Sequence, residues 1–273
     1  MASNAVLITG CSTGIGRATA LRFAAAGVPT WASARRLSDI ADLRAAGCRT
    51  IELDVTDEPS RVAAVAAVEA VHGSVGALVN NAGYAELGPM EEVSIEALRR
   101  QFETNVFGAV RLSQLVIPGM RAQRRGTIVN VSSVGGLVTF LGGGAYHMSK
   151  FALESFSDAL RAEVRRFGIR VVVVEPFGVR TRFQEVSTAT IQQGERGPYD
   201  LFNQNLHALL AGAGDSRAAV APEVIAEIIC AAVAARRPRT RYNNLSTRML
   251  ARVRRLLTDR QWDRLSGRII RAE

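Results

Sequence analysis

The chain has 273 residues, 48% of them hydrophobic, enough for one sizeable α/β domain, and it holds no run of about 18 apolar residues that would span a bilayer. Its net charge of +9 is uneven: residues 1–235 carry 22 basic and 22 acidic side chains, whereas residues 236–273 carry 12 arginines against Asp259, Asp263 and Glu273, which argues against a general nucleic-acid binder. Three scattered cysteines (Cys11, Cys48, Cys230) suit neither a disulfide framework nor a metal site, and the N-terminus shows no secretory pattern, so no metal and a cytoplasmic location are expected.

Short β-branched runs predict strands over 5–9, 28–33, 49–53, 76–80, 126–132 and 170–175. Amphipathic Ala/Arg/Glu-rich segments predict helices over 14–26, 37–46, 58–72, 94–121, 145–167 and 221–235. Several of these stop at a glycine, as Gly73 and Gly168 illustrate. Runs such as Val171-Val172-Val173-Val174 suit strands covered on both faces. The alternation predicts an α/β fold, a doubly wound parallel sheet of Rossmann type with helices on both faces. One main domain is expected over 1–240, interrupted by an insertion at 182–216 that breaks the alternation, with a basic helical extension over 241–273.

The first strand runs into Thr9-Gly10-Cys11-Ser12-Thr13-Gly14-Ile15-Gly16 and then a helix. Such a turn lets backbone approach a ligand closely and aims free N–H groups at a pyrophosphate. The spacing is G-x3-G-x-G, and alone it is also compatible with an ordinary tight βα turn. Strand two ends Ser33-Ala34-Arg35-Arg36, with no carboxylate before Asp39 to read a ribose hydroxyl. Two guanidiniums there suit a 2′-phosphate and predict a preference for NADP(H), with NAD(H) as the alternative.

Lys150 is the chain's only lysine; every other basic position except the three histidines is arginine. It follows Tyr146 by four residues, which on a helix places both on one face. A compact ammonium there would favour the phenolate. His147, next to Tyr146, faces away and reads as structural, and Cys11 reads as packing.

With these parts in place the chain resembles the short-chain dehydrogenase/reductase family, in its common branch, over roughly residues 5–182. The similarity lies in the Thr9-Gly10-x3-Gly14-Ile15-Gly16 turn, Asp54-Val55 after strand three, Asn80-Asn81-Ala82-Gly83, Asn105, Ser132-Ser133, and Tyr146-x3-Lys150, with Ser133 thirteen residues before Tyr146. The resemblance implies a cofactor groove formed by Gly10, Ser12, Thr13, Gly14, Ile15, Gly16, Arg35, Arg36, Asp54, Val55, Asn81, Ala82, Gly83, Tyr146, Lys150, Pro176, Gly178, Val179 and Thr181. It implies Ser133, Tyr146, Lys150 and Asn105 as the catalytic set, with Asn105 holding a water that links Lys150 to solvent. Where the family usually writes Pro-Gly after strand six, this chain has Pro176-Phe177-Gly178, which leaves the shape of the pocket open.

Hydride exchange with a carbonyl or alcohol is therefore expected, with Tyr146 as general acid/base and Ser133 donating to the substrate oxygen. Residues 84–90, 134–144, Phe177 and 182–216 are expected around the substrate, with Gly142-Gly143-Gly144 as a pliable lip. Val134, Leu137, Val138, Phe140, Leu141, Phe177, Phe183, Tyr199, Leu201 and Phe202 make that region apolar, which suits a lipophilic ketone or aldehyde. A homodimer or homotetramer follows from the resemblance alone. The contrasting reading is a catalytically silent dinucleotide sensor, which intact Ser133, Tyr146 and Lys150 argue against. The Arg-rich tail reads as a helical cap or subunit contact, or more sharply as a dock for an anionic membrane surface.

Overall fold

The structure is a computed structural model that describes residues 3–191, 197–213 and 219–270. Seven strands form one sheet: β1 (Val6–Ile8), β2 (Thr30–Ala34), β3 (Arg49–Glu52), β4 (Ala77–Asn80), β5 (Gly126–Val131), β6 (Ile169–Glu175) and β7 (Arg241–Asn243). Their order is β3-β2-β1-β4-β5-β6-β7 and every pairing is parallel. The order reverses between β1 and β4, and a crevice opens there at the strands' carboxyl ends.

The helices are α1 (Gly14–Ala25), α2 (Glu58–His72), α3 (Ile95–Phe102), α4 (Gly108–Ala122), α5 (Gly144–Val164), α6 (Phe183–Thr188), α7 (Asp200–Ala213), α8 (Pro222–Ala234), α9 (Leu245–Leu256) and α10 (Asp259–Ile270). Strand alternation decides which face each apolar residue serves. Val6, Ile8, Val79 and Val129 pack against Ala20 and Phe23 of α1 and Ile225 and Ile229 of α8. Leu7, Leu78 and Ile128 point the other way, onto Val65 and Val68 of α2, Leu112 and Val116 of α4, and Leu160 of α5. Between β4 and β5 the Asn80 amide donates to Asn130 Oδ1 at 2.9 Å, and the Asn130 amide donates to Ser157 Oγ at 2.8 Å. This buried polar chain ties the strand ends to α5 with hydrogen bonds that apolar packing could not orient.

Three expectations from the sequence need correction. Residues 37–44 form 3₁₀ turns and no α-helix; the segment is short, and Ser38, Asp39 and Asp42 compete with helical backbone bonding. The helix expected over 94–121 is interrupted by a π turn at Glu103–Phe107. The six strands expected gain a seventh, because Arg241–Asn243 pairs with β6, so the helical extension is fastened to the sheet at its root.

Candidate active site

Tight backbone contact builds the first turn. Gly16 sits so close to the preceding loop that a Cβ there would lie 2.3 Å from Gly10 O. Gly10, with φ of +72°, passes Ala82 in the same way, a Cβ meeting its Cα at 2.9 Å. Thr9 couples this turn to the next crossover: its hydroxyl accepts from the N–H groups of Asn81 and Ala82 at 3.0 and 2.9 Å. The Asn81 amide returns the contact, donating to Thr9 O at 2.8 Å and Gly10 O at 3.1 Å. Thr181, from the segment after β6, closes over Gly14, where a Cβ would lie 3.0 Å from Thr181 Cγ2. Ser12, Thr13 and Ile15 complete the turn and lead into the N-terminus of α1. These residues fit a pyrophosphate group: the turn is pressed flat by its neighbours and no side chain of a glycine blocks its approach.

Arg35 and Arg36 part company in the structure. Arg36 is engaged by Asp39 through two hydrogen bonds of 3.0 and 3.1 Å. Arg35 is exposed, and among the described residues no hydrogen bond or ion pair occupies it. Arg17, one residue past Gly16, pairs with Asp42. Asp54, at the end of β3, accepts from the N–H and hydroxyl of Thr56 at 2.8 and 2.7 Å, while Val55 is buried against Gly108. Pro176 accepts through its carbonyl from Val134 N–H at 3.1 Å, and Gly178 and Val179 pair with Val220.

Ser133, Tyr146 and Lys150 converge at the carboxyl end of β5. Ser133 follows the strand, and its hydroxyl accepts from Gly135 N–H at 3.0 Å. It also hydrogen-bonds the Tyr146 phenol, which lowers that phenol's pKa, but burial outweighs this and pushes Tyr146 up to about 12. Lys150 lies one turn along α5, with its Nζ 5.7 Å from the Tyr146 ring centre and donating to Val131 O at 2.8 Å. Burial lowers Lys150 to about 8, against the opposing pull of Glu154 one turn further along. Desolvation of the phenol therefore outweighs the lowering expected from Lys150.

Asn105 lies within the π turn. Its amide donates to Tyr84 O at 2.9 Å and to Ser149 Oγ at 3.1 Å, and its Oδ1 accepts from Tyr84 N–H at 3.1 Å. Gly83 passes between Asn105 and the lysine, a Cβ there lying 3.0 Å from Asn105 Oδ1 and 3.8 Å from Lys150 Nζ. Asn105 thus clamps the Asn81–Tyr84 segment onto α5. His147 is buried and held down to about 4, so it stays neutral, and its Nδ1 accepts from Phe140 N–H at 3.3 Å. Cys11 is buried and pushed up to about 12 by that burial, a packed and unreactive thiol.

On the substrate side Phe183 of α6 lies against Tyr146, ring centres 5.6 Å apart. Phe177 projects outward at 37% exposure. Leu201 is exposed, and Tyr199 donates its hydroxyl to Glu91 at 2.6 Å. Val134, Leu137, Val138 and Phe140 pack with Trp262, Leu250 and Leu257 of the tail. At Gly142, Gly143 and Gly144 a Cβ would press on Leu206, His147 and Met90 respectively. Part of the 182–216 insertion, residues 192–196 and 214–216, lies outside the described residues. Sequence reasoning missed Ser149 and the bracing role of Thr9; Thr9 was legible as the residue opening the glycine turn, whereas Ser149 gave no signal.

A family model described as short chain dehydrogenase matches residues 4–192. The chain belongs to the short-chain dehydrogenase/reductase family. It is an oxidoreductase. A 3-ketodihydrosphingosine reductase of Bacteroides thetaiotaomicron is 33% identical over 257 residues, 93% of either chain. A solved short-chain dehydrogenase from Streptomyces avermitilis superposes with a TM-score of 0.80 at 34% identity, covering 97% of this chain and 98% of that one. Another, from Burkholderia phymatum and in complex with NAD, gives 0.79 at 26% identity, covering 92% of each chain. Among the described residues no helix is long and apolar enough to cross a membrane.

Proposed function

We propose that this short-chain dehydrogenase/reductase is an NADP(H)-dependent carbonyl reductase or alcohol dehydrogenase for a lipophilic substrate, with Tyr146 as the general acid/base. The observation that carries the reading is the meeting of Ser133, Tyr146 and Lys150 at the end of β5, alongside the close-packed Gly10–Gly16 turn. When bound, the nicotinamide supplies or accepts the hydride. Tyr146 gives its phenolic proton to the carbonyl oxygen in reduction and takes it back from the alcohol in oxidation. A phenol held up at about 12 is protonated at neutral pH, the state that reduction requires. Ser133 donates to the same oxygen and stabilises charge that develops there. Lys150 holds a ribose hydroxyl and presents its positive charge to the phenol.

The free Arg35 guanidinium supports a 2′-phosphate and so NADP(H). Asp54, Val55, Asn81, Ala82, Gly83, Pro176, Gly178, Val179 and Thr181 line the remainder of the proposed groove. The apolar Phe183 face beside Tyr146 and the name of the Bacteroides relative support a lipophilic carbonyl. Exposed Phe107 in the π turn before α4 and exposed Met148 and Phe151 on α5 support a homodimer or homotetramer as part of the same reading.

A panel of ketones and aldehydes followed by NADPH consumption tests the activity. Tyr146→Phe is expected to lower kcat by at least about a thousandfold while cofactor affinity stays within about threefold. Turnover that survives this substitution removes Tyr146 from the mechanism. A wild-type chain that binds NADPH tightly and turns over no carbonyl supports the silent sensor instead.

A further inference from the structure

Helix α9 (Leu245–Leu256) is anchored along one side only. Thr247 donates its hydroxyl to Glu175 O at 3.0 Å, Leu250 packs beside Val134, Val138 and Trp262, and Arg254 lies 5.7 Å over the Trp262 ring. At about 3.6 residues per turn, these three share one side of the helix. On the far side Leu245, Met249, Val253 and Leu256 fall within about 80° of arc. They are 70, 58, 41 and 84% exposed. Arg248, Arg252 and Arg255 occupy the adjoining arc of about 60° and are exposed too.

The helix therefore presents two parallel stripes to solvent, one apolar and one cationic. Among the described residues neither stripe has a task inside the domain. The apolar residues are too exposed to serve the core. Arg248 leans on Asn243 at 2.8 Å, and among the described residues no carboxylate pairs with Arg248, Arg252 or Arg255. Residues 245–256 contain no Asp or Glu, so a second copy docking helix to helix offers the arginines nothing acidic. A planar anionic surface with an apolar layer beneath it satisfies both stripes at once, along the roughly 18 Å of a twelve-residue helix.

We infer that α9 docks this protein reversibly on an anionic lipid bilayer, with Leu245, Met249, Val253 and Leu256 entering the acyl boundary and Arg248, Arg252 and Arg255 meeting the headgroups. The dock lies on the substrate side: Asn244, which caps α9, donates to Phe177 O at 2.8 Å. A docked chain thus turns the segment after β6 towards the lipid phase, where apolar substrates partition. Nothing in this face depends on which carbonyl is reduced.

Co-sedimentation of the full chain with phosphatidylcholine vesicles, plain or doped with phosphatidylglycerol, tests the inference without any activity assay. The wild type is expected to pellet with doped vesicles and to be released by salt. Arg248→Gln/Arg252→Gln/Arg255→Gln should weaken that binding by roughly a hundredfold. Met249→Ser/Leu256→Ser should weaken it by roughly tenfold or more. Both variants should melt within a few degrees of the wild type, since none of these side chains supports the core. Absence of pelleting, equal pelleting with both vesicle types, or binding untouched by either variant overturns the inference. So does a wild type that self-associates through this face in sedimentation velocity and ignores vesicles.

Discussion

Arg35 and Arg36 are neighbours of the same type, yet only one is available to a ligand. Asp39 takes both forks of Arg36, and a phosphate would have to break that pair to recruit it. Arg35 offers its guanidinium without that cost. Arg35→Asp should therefore raise the NADPH dissociation constant by about 100-fold relative to NADH, whereas Arg36→Ala should change it by less than about tenfold. Titration of both cofactors by fluorescence checks this, and equal effects of the two substitutions would remove the distinction. The sequence could nominate the pair but not divide it, because the division rests on where Asp39 points. Lys150 shows the same limit. Its singularity and its spacing from Tyr146 were legible, but its pKa was not, since burial of both groups outweighs their spacing.

At the scale of elements, β1, β4, β5 and β6 and the helices α2, α5 and α8 were legible because each carries a strong apolar run or period. What escaped lacks one. β7 is Arg241-Tyr242-Asn243, three residues with no apolar run, and only its pairing to β6 makes it a strand. The π turn escaped because it carries no local signal, and the partner of its Asn105 lies 21 residues away in the chain, where the Tyr84 backbone both donates to and accepts from Asn105. Asn105→Ala would leave the Tyr84 N–H unpaired, while the Tyr84 carbonyl would keep the Gln101 amide at 2.8 Å. A loss of about 1–3 kcal/mol in unfolding free energy is expected. The clamp also sets Gly83 against Lys150, so kcat should fall by about tenfold or more while the NADPH affinity of the folded protein stays within about threefold. Urea titration and steady-state kinetics read the two effects separately. An unchanged urea midpoint would mean that the turn is held by the backbone alone.

At the scale of the whole molecule, the tail is joined to the catalytic domain by charge as well as by packing. Arg241 sits among three carboxylates, 2.9 Å from Glu154, 2.9 Å from Asp158 and 3.0 Å from Glu175. Burial pushes Glu154 and Glu175 above the usual carboxylate range, while Arg241 pulls both back down. Glu154 in turn faces Lys150, so the sheet's last strand is electrostatically continuous with the proposed active site. Arg241→Met keeps the bulk and removes the cation that Glu154, Asp158 and Glu175 share, leaving the buried Glu154 and Glu175 carboxylates with little access to water. Such a loss should cost about 3–5 kcal/mol of stability at neutral pH. The sign of its pH dependence follows from the raised folded pKa values. A carboxyl whose folded pKa lies above its unfolded value stabilises the fold below the unfolded value and loses that contribution as pH rises through the folded one. Removing Arg241 raises both folded values further, so the variant's deficit should shrink as pH falls from neutrality towards 5. Urea unfolding of wild type and variant across that range measures it directly. A deficit that is constant with pH would show that Arg241 acts through packing against the sheet edge, and the electrostatic link between tail and Lys150 would have to be given up.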